Sequence, residues 1–434
     1  MRVVVLGGGS SGEHFVGALR RLDHEAEITV VERRLVGGEC SYWACMPTKT
    51  MLRATELVAE AERSYGSVTG AKLDPKRVFA WRDQVAERDD SSQVEWLESQ
   101  DAKLIRGDAV TVEPGVLSVD DEALQYDRLV IATGSSPAIP PIEGLDSVDY
   151  WTNIEATETL EVPERLAVLG GGPVGCELAQ FFQRVGSQVT LVQGDTRLLS
   201  RVDADAAALV DEALREDGVD VRLDAHAERA TSTSLLLAGG DEVPFDRLLV
   251  ATGRKPNLDG LEALDLTISK RGIEVDEHMR AAPDIWAIGD VTGIAQFTHV
   301  GKYHARVAAY DMDGREARAD HRAIPATIFT DPQIAMVGDT EGGVSSTWDL
   351  QSVPRLSTFE RPKRKGFIKV VADPKRRVIK GAVAAGPDSG EWLQQLTLAI
   401  RAEIPIEVLL DVIQPYPTFS EGVFWALREL NLDL

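Results

Sequence analysis

The sequence contains the same short pattern twice, an apolar run that ends directly in a glycine-rich turn. Residues Val3–Gly12 read VVVLGGGSSG, and residues Ala167–Gly175 read AVLGGGPVG. In each copy the glycines have the spacing G-x-G-x-x-G, and a helical pattern follows. A strand that turns sharply into a helix around such glycines is the start of a βαβ unit. The repeated pattern therefore predicts an α/β fold with parallel sheets.

Each copy has a later partner segment of the form strand-Ala-Thr-Gly. These segments are Leu129–Gly134 and Leu248–Gly253, and they indicate two similar units in tandem. This is the pattern of two Rossmann-like sheets that bind dinucleotides. The proline- and glycine-rich stretch Ser135–Leu145 is typical of a linker that leaves the first unit.

The character of the chain changes from about residue 322, where no further glycine-rich loop occurs. Residues 367–371 and 378–384 are predicted to form a hairpin, and residues 392–400 and 407–413 are predicted to be helical. This region is therefore expected to be a separate α+β domain for substrate or subunit contacts.

The composition excludes several partners. Seventy acidic residues against 46 basic ones give a net charge of −24, and no basic cluster with interleaved aromatic residues occurs, so no nucleic acid partner is expected. No stretch approaches the ~18 apolar residues that a membrane helix requires. The chain starts with a short strand rather than a signal peptide, which predicts a cytoplasmic protein without membrane insertion. The acidic surface is attributed to solubility or to a salty cytosol.

The first glycine-rich turn has the three positions of a dinucleotide fingerprint. Gly7 allows the tight turn, Gly9 lets a pyrophosphate approach, and Gly12 permits close packing of helix on strand. Glu32 ends the second strand, twenty residues after Gly12, where an acid can hold a pair of ribose hydroxyls. The first site is therefore predicted to bind a dinucleotide.

The second fingerprint consists of Gly170, Gly172 and Gly175. The strand that should end in a ribose-binding acid ends in Gln193 instead. An acid at that position would favour NADH, whereas arginines just beyond it would favour NADPH. The chain has Asp195 there, with Arg197 and Arg201 further on, so the sequence leaves the choice open.

Cys40 and Cys45 lie in the segment GGECSYWACMPTK and form a candidate redox pair. Their Cα atoms must come within roughly 4.4–6.8 Å to form a disulfide, whereas five residues of straight helix rise about 7.5 Å. The first helical turn must therefore be distorted, and Pro47 favours this because it cannot donate to the Trp43 carbonyl. Two buried, unreactive thiols are the alternative, and inert burial is expected for Cys176.

Together these motifs resemble the class I pyridine nucleotide–disulfide oxidoreductase family, the group of dihydrolipoamide dehydrogenase, glutathione reductase and mercuric reductase. The resemblance spans both fingerprints, the C-x4-C segment, both Ala-Thr-Gly strands, Gly289-Asp290 and Phe329–Pro332. It implies FAD in the first site, NAD(P)H in the second and a homodimer. The implied domains are FAD-binding segments at 1–152 and 257–321, an NAD(P)-binding domain at 153–256 and a dimerisation domain at 322–434.

The resemblance also implies roles for individual residues. Cys45 would be the charge-transfer thiol and Cys40 the interchange thiol that attacks the outside substrate. Lys49 matches the lysine beside the flavin, and Glu177 matches the acid that pairs with it; two unrelated surface charges are the alternative.

Further positions match the flavin-binding part of the family pattern. Asp290 matches the residue that holds a ribityl hydroxyl. Gly134 and Gly253, which end the Ala-Thr-Gly segments of the first and second unit, are predicted to bind cofactor. A helix that starts near Thr298 would direct its amino end at the flavin. His299 at that start is as consistent with packing as with participation.

The main departure from the family pattern is at Tyr416. Disulfide-reducing members carry a histidine there, which serves the interchange thiol across the dimer interface, with a glutamate five residues later. Here Glu421 is retained, but no histidine follows His321. Tyrosine has a pKa near 10 and is a poor base at neutral pH, so general acid–base help, worth ~10²–10⁴-fold, should be lost. Tyr416 could instead donate a hydrogen bond or pack at a subunit interface.

Tyr42 and Trp43 also depart from the small, aliphatic and amide residues typical between these cysteines. They either shape substrate access or simply fill space.

The sequence predicts an FAD-dependent NAD(P)H oxidoreductase that uses a Cys40–Cys45 disulfide to reduce a small disulfide or related acceptor. One alternative is a quinone or metal-ion reductase in which the thiols take no part. Another is a redox-sensing flavoprotein with little turnover. The sequence predicts no metal site.

Overall fold

The computed structural model describes residues 1–22, 25–360 and 366–432. The chain divides into two compact units. The first unit consists of Met1–Pro47, Asp83–Ala138 and Gly253–Asp320, and the second consists of Thr48–Arg82, Ile139–Thr252 and His321–Leu434.

Fourteen α-helices and 23 strands lie within the described residues. The helices are α1 (Ser10–Arg20), α2 (Gly38–Tyr42), α3 (Cys45–Glu62), α4 (Pro75–Ala86), α5 (Ser91–Ser99), α6 (Asn153–Glu158), α7 (Pro173–Val185), α8 (Ala204–Glu216), α9 (Thr298–Met312), α10 (Pro354–Phe359), α11 (Ser389–Trp392), α12 (Gln394–Arg401), α13 (Ile406–Leu410) and α14 (Glu421–Arg428). The strands are β1 (Arg2–Leu6), β2 (Glu27–Glu32), β3 (Ala102–Arg106), β4 (Ala109–Glu113), β5 (Val116–Val119), β6 (Glu122–Gln125), β7 (Arg128–Ile131), β8 (Ser135–Pro137), β9 (Arg165–Leu169), β10 (Gln188–Val192), β11 (Asp220–Arg222), β12 (Ala227–Ala230), β13 (Ser234–Leu237), β14 (Glu242–Pro244), β15 (Arg247–Val250), β16 (Arg254–Pro256), β17 (Arg280–Ala282), β18 (Ile285–Ala287), β19 (Pro325–Ile328), β20 (Ile334–Gly338), β21 (Val344–Asp349), β22 (Phe367–Asp373) and β23 (Val378–Ala385).

The first unit is built around a six-stranded sheet with the order β17-β18-β7-β1-β2-β3. Its strands pair in parallel except for β17, which runs antiparallel to β18. Val3 and Val5 pack in one buried cluster with residues of α1 and α9, whereas Val4 and Leu6 pack in a second cluster with residues of β7. Both faces of β1 are therefore covered, which explains why the strand is a continuous apolar run rather than an alternating one.

The second unit contains a four-stranded parallel sheet with the order β11-β10-β9-β15. It also contains a five-stranded antiparallel sheet with the order β19-β20-β23-β22-β21. Strands β22 and β23 form the hairpin that the sequence predicts. The fold class predicted from the sequence, two Rossmann-like domains plus a C-terminal α+β dimerisation domain, is confirmed, whereas its exact domain boundaries stay a prediction.

Two helices differ from their predicted bounds. The helix predicted over residues 392–400 is divided at Leu393, which lies between α11 and α12. The helix predicted over residues 407–413 ends at Leu410 as α13. Within the described residues, no helix combines the length and apolar character needed to cross a membrane.

Candidate active site

The first glycine-rich turn leads from β1 into the amino end of α1. A Cβ atom on Gly12 would lie 2.1 Å from the Gly7 carbonyl oxygen, so only glycine fits at this position. In the described chain no side chain caps the amino end of α1, whose N-cap residue is Gly9. A Cβ atom on Gly9 would have only the Gly38 Cα within 4 Å, at 3.8 Å. This open helix start fits the pyrophosphate of a dinucleotide, which backbone amides and the helix dipole can bind.

Glu32 lies beside this turn at the end of β2. Its Oε2 accepts a hydrogen bond of 2.8 Å from the Gly8 amide, and its Oε1 accepts one of 2.7 Å from the Arg34 amide. The carboxylate is thereby fixed next to the glycine-rich turn, in the position where the sequence predicts a ribose-binding acid.

Asp290 belongs to a polar cluster in the same unit. Ser135 Oγ donates to Asp290 Oδ2 at 2.6 Å, and Arg254 Nε donates to Ser135 Oγ at 2.7 Å. Arg254 Nη2 also donates to Glu39 Oε2 at 2.6 Å. Burial raises the pKa of Asp290, while the Ser135 hydrogen bond and the Arg254 charge oppose that rise. The cluster connects Glu39, the residue before Cys40, to the predicted ribityl-binding acid.

The first Ala-Thr-Gly segment is held in place by Asn257. The Asn257 side-chain amide donates to the Thr133 carbonyl oxygen at 2.8 Å, and the Asn257 backbone amide donates to the Gly134 carbonyl oxygen at 3.0 Å. The Ala138 amide donates to the carbonyl oxygen of Gly253 at 2.9 Å. Both predicted glycines thus lie in the first unit, on segments joined through β8 and β16.

Cys40 and Cys45 lie on two different helices, as the distorted first turn requires. Cys40 belongs to α2, Trp43 and Ala44 interrupt the helical path, and Cys45 is the first residue of α3. The two sulfurs form a hydrogen bond as separate thiols. Cys45 Sγ also contacts the Thr298 hydroxyl oxygen at 3.4 Å, at the start of α9.

The surroundings of Cys40 act on its ionisation in opposite directions. The hydrogen bond to Cys45 and burial raise the pKa of the Cys40 thiol. The Thr298 hydroxyl and the Lys302 ammonium group, one helical turn apart on α9, lower it. Because a second thiolate next to the first is repelled, the pair is expected to hold one negative charge at a time.

Tyr42 and Trp43 fill space within the first unit. Tyr42 is buried and its hydroxyl donates to the Val36 carbonyl oxygen at 2.8 Å. Trp43 is also buried, and the Arg34 guanidinium carbon lies 4.1 Å from its ring centroid. Of the two interpretations left open by the sequence, the structure favours packing.

Lys49 and Glu177 form an ion pair within the second unit. Lys49 Nζ donates to Glu177 Oε2 at 2.7 Å, and the Phe329 amide donates to Glu177 Oε1 at 2.9 Å. Lys49 Nζ also lies 4.9 Å from the Phe329 ring centroid. Glu177 is almost fully buried and uses both oxygens, so the pair is not an incidental surface contact.

The second glycine-rich turn repeats the geometry of the first. A Cβ atom on Gly175 would lie 1.9 Å from the Gly170 carbonyl oxygen, whereas one on Gly172 would meet nothing within 4 Å. Gln193 Oε1 accepts a hydrogen bond of 2.8 Å from the Gly171 amide, the same contact that Glu32 makes with Gly8. The neutral Gln193 therefore replaces the acid as a structural partner of the turn.

Comparison with known proteins identifies the family. Residues 1–308 match the family described as pyridine nucleotide-disulphide oxidoreductase, and residues 324–427 match its dimerisation domain. The chain belongs to the pyridine nucleotide-disulphide oxidoreductase family. This oxidoreductase is accordingly a flavoprotein enzyme that uses FAD and NAD(P)H.

Two curated relatives of this oxidoreductase carry different names. Mercuric reductase from Acidithiobacillus ferrooxidans is 34% identical over 98% of this chain and 82% of the relative. Dihydrolipoyl dehydrogenase from Thermus scotoductus is 33% identical over 99% of this chain and 97% of the relative.

Among solved structures, the HOCl-induced flavoprotein disulfide reductase RclA from Escherichia coli superimposes with a TM-score of 0.87, at 25% identity over 99% of this chain and 100% of that one. RclA has also been solved as a Cu(II) complex, with a TM-score of 0.86 at 25% identity, covering 99% of each chain.

His299, Tyr416 and Glu421 complete the set of residues predicted from the sequence. His299 stacks on Phe297 with ring centroids 5.2 Å apart, which is a packing contact. Tyr416 is 72% exposed on the loop before α14. Glu421 begins α14; its Oε1 accepts from Trp425 Nε1 at 3.3 Å, while its Oε2 is buried without a hydrogen-bond partner among the described residues.

Sequence reasoning missed several residues of the site. Ser135, Arg254 and Glu39 surround Asp290, and Thr298 contacts Cys45 from a segment 253 residues away. The sequence placed Thr298 at the start of a helix, but no local pattern could have shown its contact with Cys45, because only the packing of α9 brings it to the thiols. Cys176 is fully buried, and burial is the main cause that raises the pKa of its thiol. In the described part of the chain, no three His, Cys, Asp or Glu side chains group as metal ligands.

Proposed function

We propose that this oxidoreductase is a disulfide reductase in which Cys40 and Cys45 pass two electrons to a small disulfide or related thiol-reactive acceptor. The observation that carries the proposal is the pair of contacting thiols at the break between α2 and α3, beside the Thr298 hydroxyl. Cys176, the third cysteine of the chain, is fully buried and cannot meet a solute. The reactive pair is therefore limited to Cys40 and Cys45.

The glycine-rich turns and their neighbours are proposed to hold the cofactors. A bound FAD would supply the two-electron chemistry that links hydride donation by NAD(P)H to reduction of the Cys40–Cys45 disulfide. The proposed FAD ligands are Gly7, Gly9, Gly12, Glu32, Gly134, Gly253, Asp290 and the α9 start at His299. The proposed NAD(P)H ligands are Gly170, Gly172, Gly175 and Gln193. The Lys49–Glu177 pair is proposed to fix a positive charge beside the flavin.

The thiol chemistry follows from the two cysteines themselves. The Cys40 thiolate attacks one sulfur of the acceptor disulfide, which forms a mixed disulfide and releases one thiolate. The Cys45 thiolate then attacks the Cys40 sulfur and releases the second thiolate, which leaves a Cys40–Cys45 disulfide. Two acceptor thiolates form and take up protons, while the enzyme dithiol loses two electrons. The Thr298 hydroxyl can donate a hydrogen bond to the Cys45 thiolate in this cycle.

Tyr416 determines which acceptors suit this oxidoreductase. In the place of the family histidine, its hydroxyl can donate a hydrogen bond but is a poor base at neutral pH. Without a base to take up the Cys40 proton and return it to the leaving thiolate, acceptors with acidic leaving thiols should react best. We therefore propose low-molecular-weight disulfides with good leaving groups rather than lipoamide or glutathione disulfide.

The test compares the wild type with Cys40→Ser and with Cys176→Ser, which alters the one cysteine outside the proposed thiol pair. NADH or NADPH supplies the electrons, and the acceptors are 5,5′-dithiobis(2-nitrobenzoate), glutathione disulfide and menadione. Cys40→Ser should lower the reduction of the first disulfide at least about 100-fold, because the attacking sulfur is lost. Cys176→Ser should retain wild-type rates.

Two outcomes would overturn the proposal. Undiminished disulfide reduction by Cys40→Ser would show that the thiols take no part. A single stoichiometric oxidation of NAD(P)H without turnover on any acceptor would indicate a redox sensor instead.

Reduction of a metal ion is the second candidate function. It is favoured by the name of the mercuric reductase relatives and by the Cu(II) complex of RclA. The resemblance to mercuric reductases implies an additional cysteine pair near the C-terminus. This sequence has no cysteine after Cys176, which weakens Hg(II) reduction as the function. NAD(P)H oxidation with Hg(II) or Cu(II), measured on the same variants, separates metal reduction from disulfide reduction.

We also propose that the enzyme is a homodimer and that it is located in the cytoplasm, which is a reducing compartment. The matched dimerisation domain and several exposed apolar side chains in α12, α13 and the following loop support the dimer. A chain with only three cysteines, which cannot form a framework of structural disulfides, fits a compartment with a reducing thiol pool.

A further inference from the structure

The segment after β10 is where a nicotinamide dinucleotide would be distinguished from its 2′-phosphorylated form. Gln193 Oε1 accepts from the Gly171 amide at 2.8 Å, and Gln193 Nε2 donates to Asp195 Oδ2 at 2.9 Å. The Asp195 backbone is fixed as well, because its carbonyl oxygen accepts from the Asp224 amide at 2.9 Å. Gln193 thus links a carboxylate, two residues beyond the usual position, to the glycine-rich turn.

The carboxylate of Asp195 is oriented but not neutralised by this contact. The Gln193 amide carries no charge, and Asp195 is in no ion pair among the described residues. An exposed carboxylate of this kind accepts hydrogen bonds from a ribose hydroxyl and repels a phosphate.

The arginines that follow are directed elsewhere. The Arg197 guanidinium donates to three carbonyl oxygens, those of Leu199, Ser200 and Val202, at 3.1, 2.6 and 2.9 Å. It therefore shapes its own loop rather than an anion site. Arg222, at the end of β11, is paired with Asp220 at 3.0 Å. Arg201 is exposed in the turn before α8.

We infer that Asp195, held by Gln193, makes this oxidoreductase selective for NADH over NADPH. The inference rests on the proposed nucleotide site at Gly170–Gly175. A 2′-hydroxyl can donate a charge-assisted hydrogen bond to the Asp195 carboxylate, whereas a 2′-phosphate would bring further negative charge against it. The dissociation constant of NADP⁺ should exceed that of NAD⁺ by about 10- to 100-fold.

The test measures binding of NAD⁺ and NADP⁺ to the FAD-loaded enzyme by isothermal titration calorimetry, which does not depend on turnover. Asp195→Asn keeps the shape of the side chain but removes its charge, and it should reduce the NADP⁺/NAD⁺ ratio of dissociation constants at least about fivefold. Asp205→Asn is the matched control, because it removes one exposed charge from the first turn of α8 and should leave the ratio unchanged. Arg201→Ala should leave the ratio unchanged as well.

The ratio of kcat/KM for NADH and NADPH should follow the binding ratio in each variant. The inference is wrong if the wild type binds NADP⁺ as tightly as NAD⁺, if Asp195→Asn does not change the ratio, or if Arg201→Ala raises it. These results leave the thiol chemistry intact. If neither nucleotide binds, the proposed nucleotide site itself is wrong.

Discussion

Glu13 illustrates how one side chain can couple stability to pH. It lies in the first turn of α1, directly after the third fingerprint glycine. Burial raises its pKa from the ordinary 4.5 to about 7, the Lys302 charge opposes this shift, and the Asp90 charge adds to it. The charge of Glu13 in turn contributes to the raised pKa of Tyr42. Glu13 therefore stays protonated to a higher pH in the folded protein than in the unfolded chain.

The sign of the pH dependence follows from this raised pKa. Between pH 4.5 and 7 the folded state binds more protons at Glu13 than the unfolded state, so this contribution to stability is present at low pH and declines as pH rises through the window. Glu13→Gln should remove a decline of up to about 3 kcal/mol in the free energy of unfolding across this pH window. The measurement is the free energy of unfolding against pH from 5 to 8. Glu98→Gln, at an exposed position of α5, should keep the wild-type slope; a slope retained by Glu13→Gln would contradict the prediction.

The residue directly after α3, Arg63, belongs to a buried ion-pair network within the second unit. Arg63 Nη1 lies 2.8 Å from Asp331 Oδ2 and Arg63 Nε lies 2.5 Å from Glu360 Oε2. Arg184 on α7 contacts the same Asp331 oxygen at 2.9 Å and Asp217 Oδ2 at 2.8 Å. Burial disfavours ionised Asp331, but Arg184 and Arg63 together hold its pKa below the ordinary range.

Loss of the shared carboxylate should be costly for stability. Asp331→Asn leaves two buried guanidinium groups without their common charge, and breaking such a network costs about 3–5 kcal/mol. The midpoint of urea unfolding measures the effect. Asp246→Asn is the matched control, because Asp246 pairs with Arg165 at a site where both side chains are about two-fifths exposed. The control should shift the midpoint far less, and equal shifts would show that burial of the network does not matter.

At the scale of the whole molecule, the relevant feature is a set of exposed apolar side chains in the C-terminal region. The exposed fractions are 63% for Leu398, 52% for Val408, 47% for Val412, 95% for Ile413 and 72% for Tyr416. Large apolar side chains exposed within one domain are typical of a protein interface. The matched dimerisation domain spans all five positions.

A charge at Ile413, the most exposed of these five side chains, should separate the proposed dimer. Ile413→Asp places an ion where an apolar contact would be buried, so the sedimentation coefficient should change from that of a dimer to that of a monomer. Leu160→Asp is the control, because Leu160 is 68% exposed but lies outside the dimerisation domain. A dimer that survives Ile413→Asp at micromolar concentration would place the interface elsewhere.

Local sequence patterns were sufficient to predict the features that depend on neighbouring residues alone. The two glycine-rich turns, the acid at Glu32 and the break before Cys45 depend on neighbours in sequence, through close backbone approach and a proline that cannot donate. The pairing of Lys49 with Glu177 came from resemblance to the family rather than from spacing. The end of α13 could not be predicted, because the apolar residues of the predicted helix 407–413 follow a helical period although Val408, Val412 and Ile413 are exposed.

The sequence by itself determined the two dinucleotide units, the candidate redox pair and the absence of the family histidine, because each is written in short-range spacing or in residue identity. Only the tertiary structure decided that Thr298 contacts Cys45, that Arg197 bonds to its own loop, and that Gln193 directs Asp195. Those contacts depend on where distant segments meet and on which hydrogen-bond partners each side chain finds there, and a linear pattern of residues carries neither.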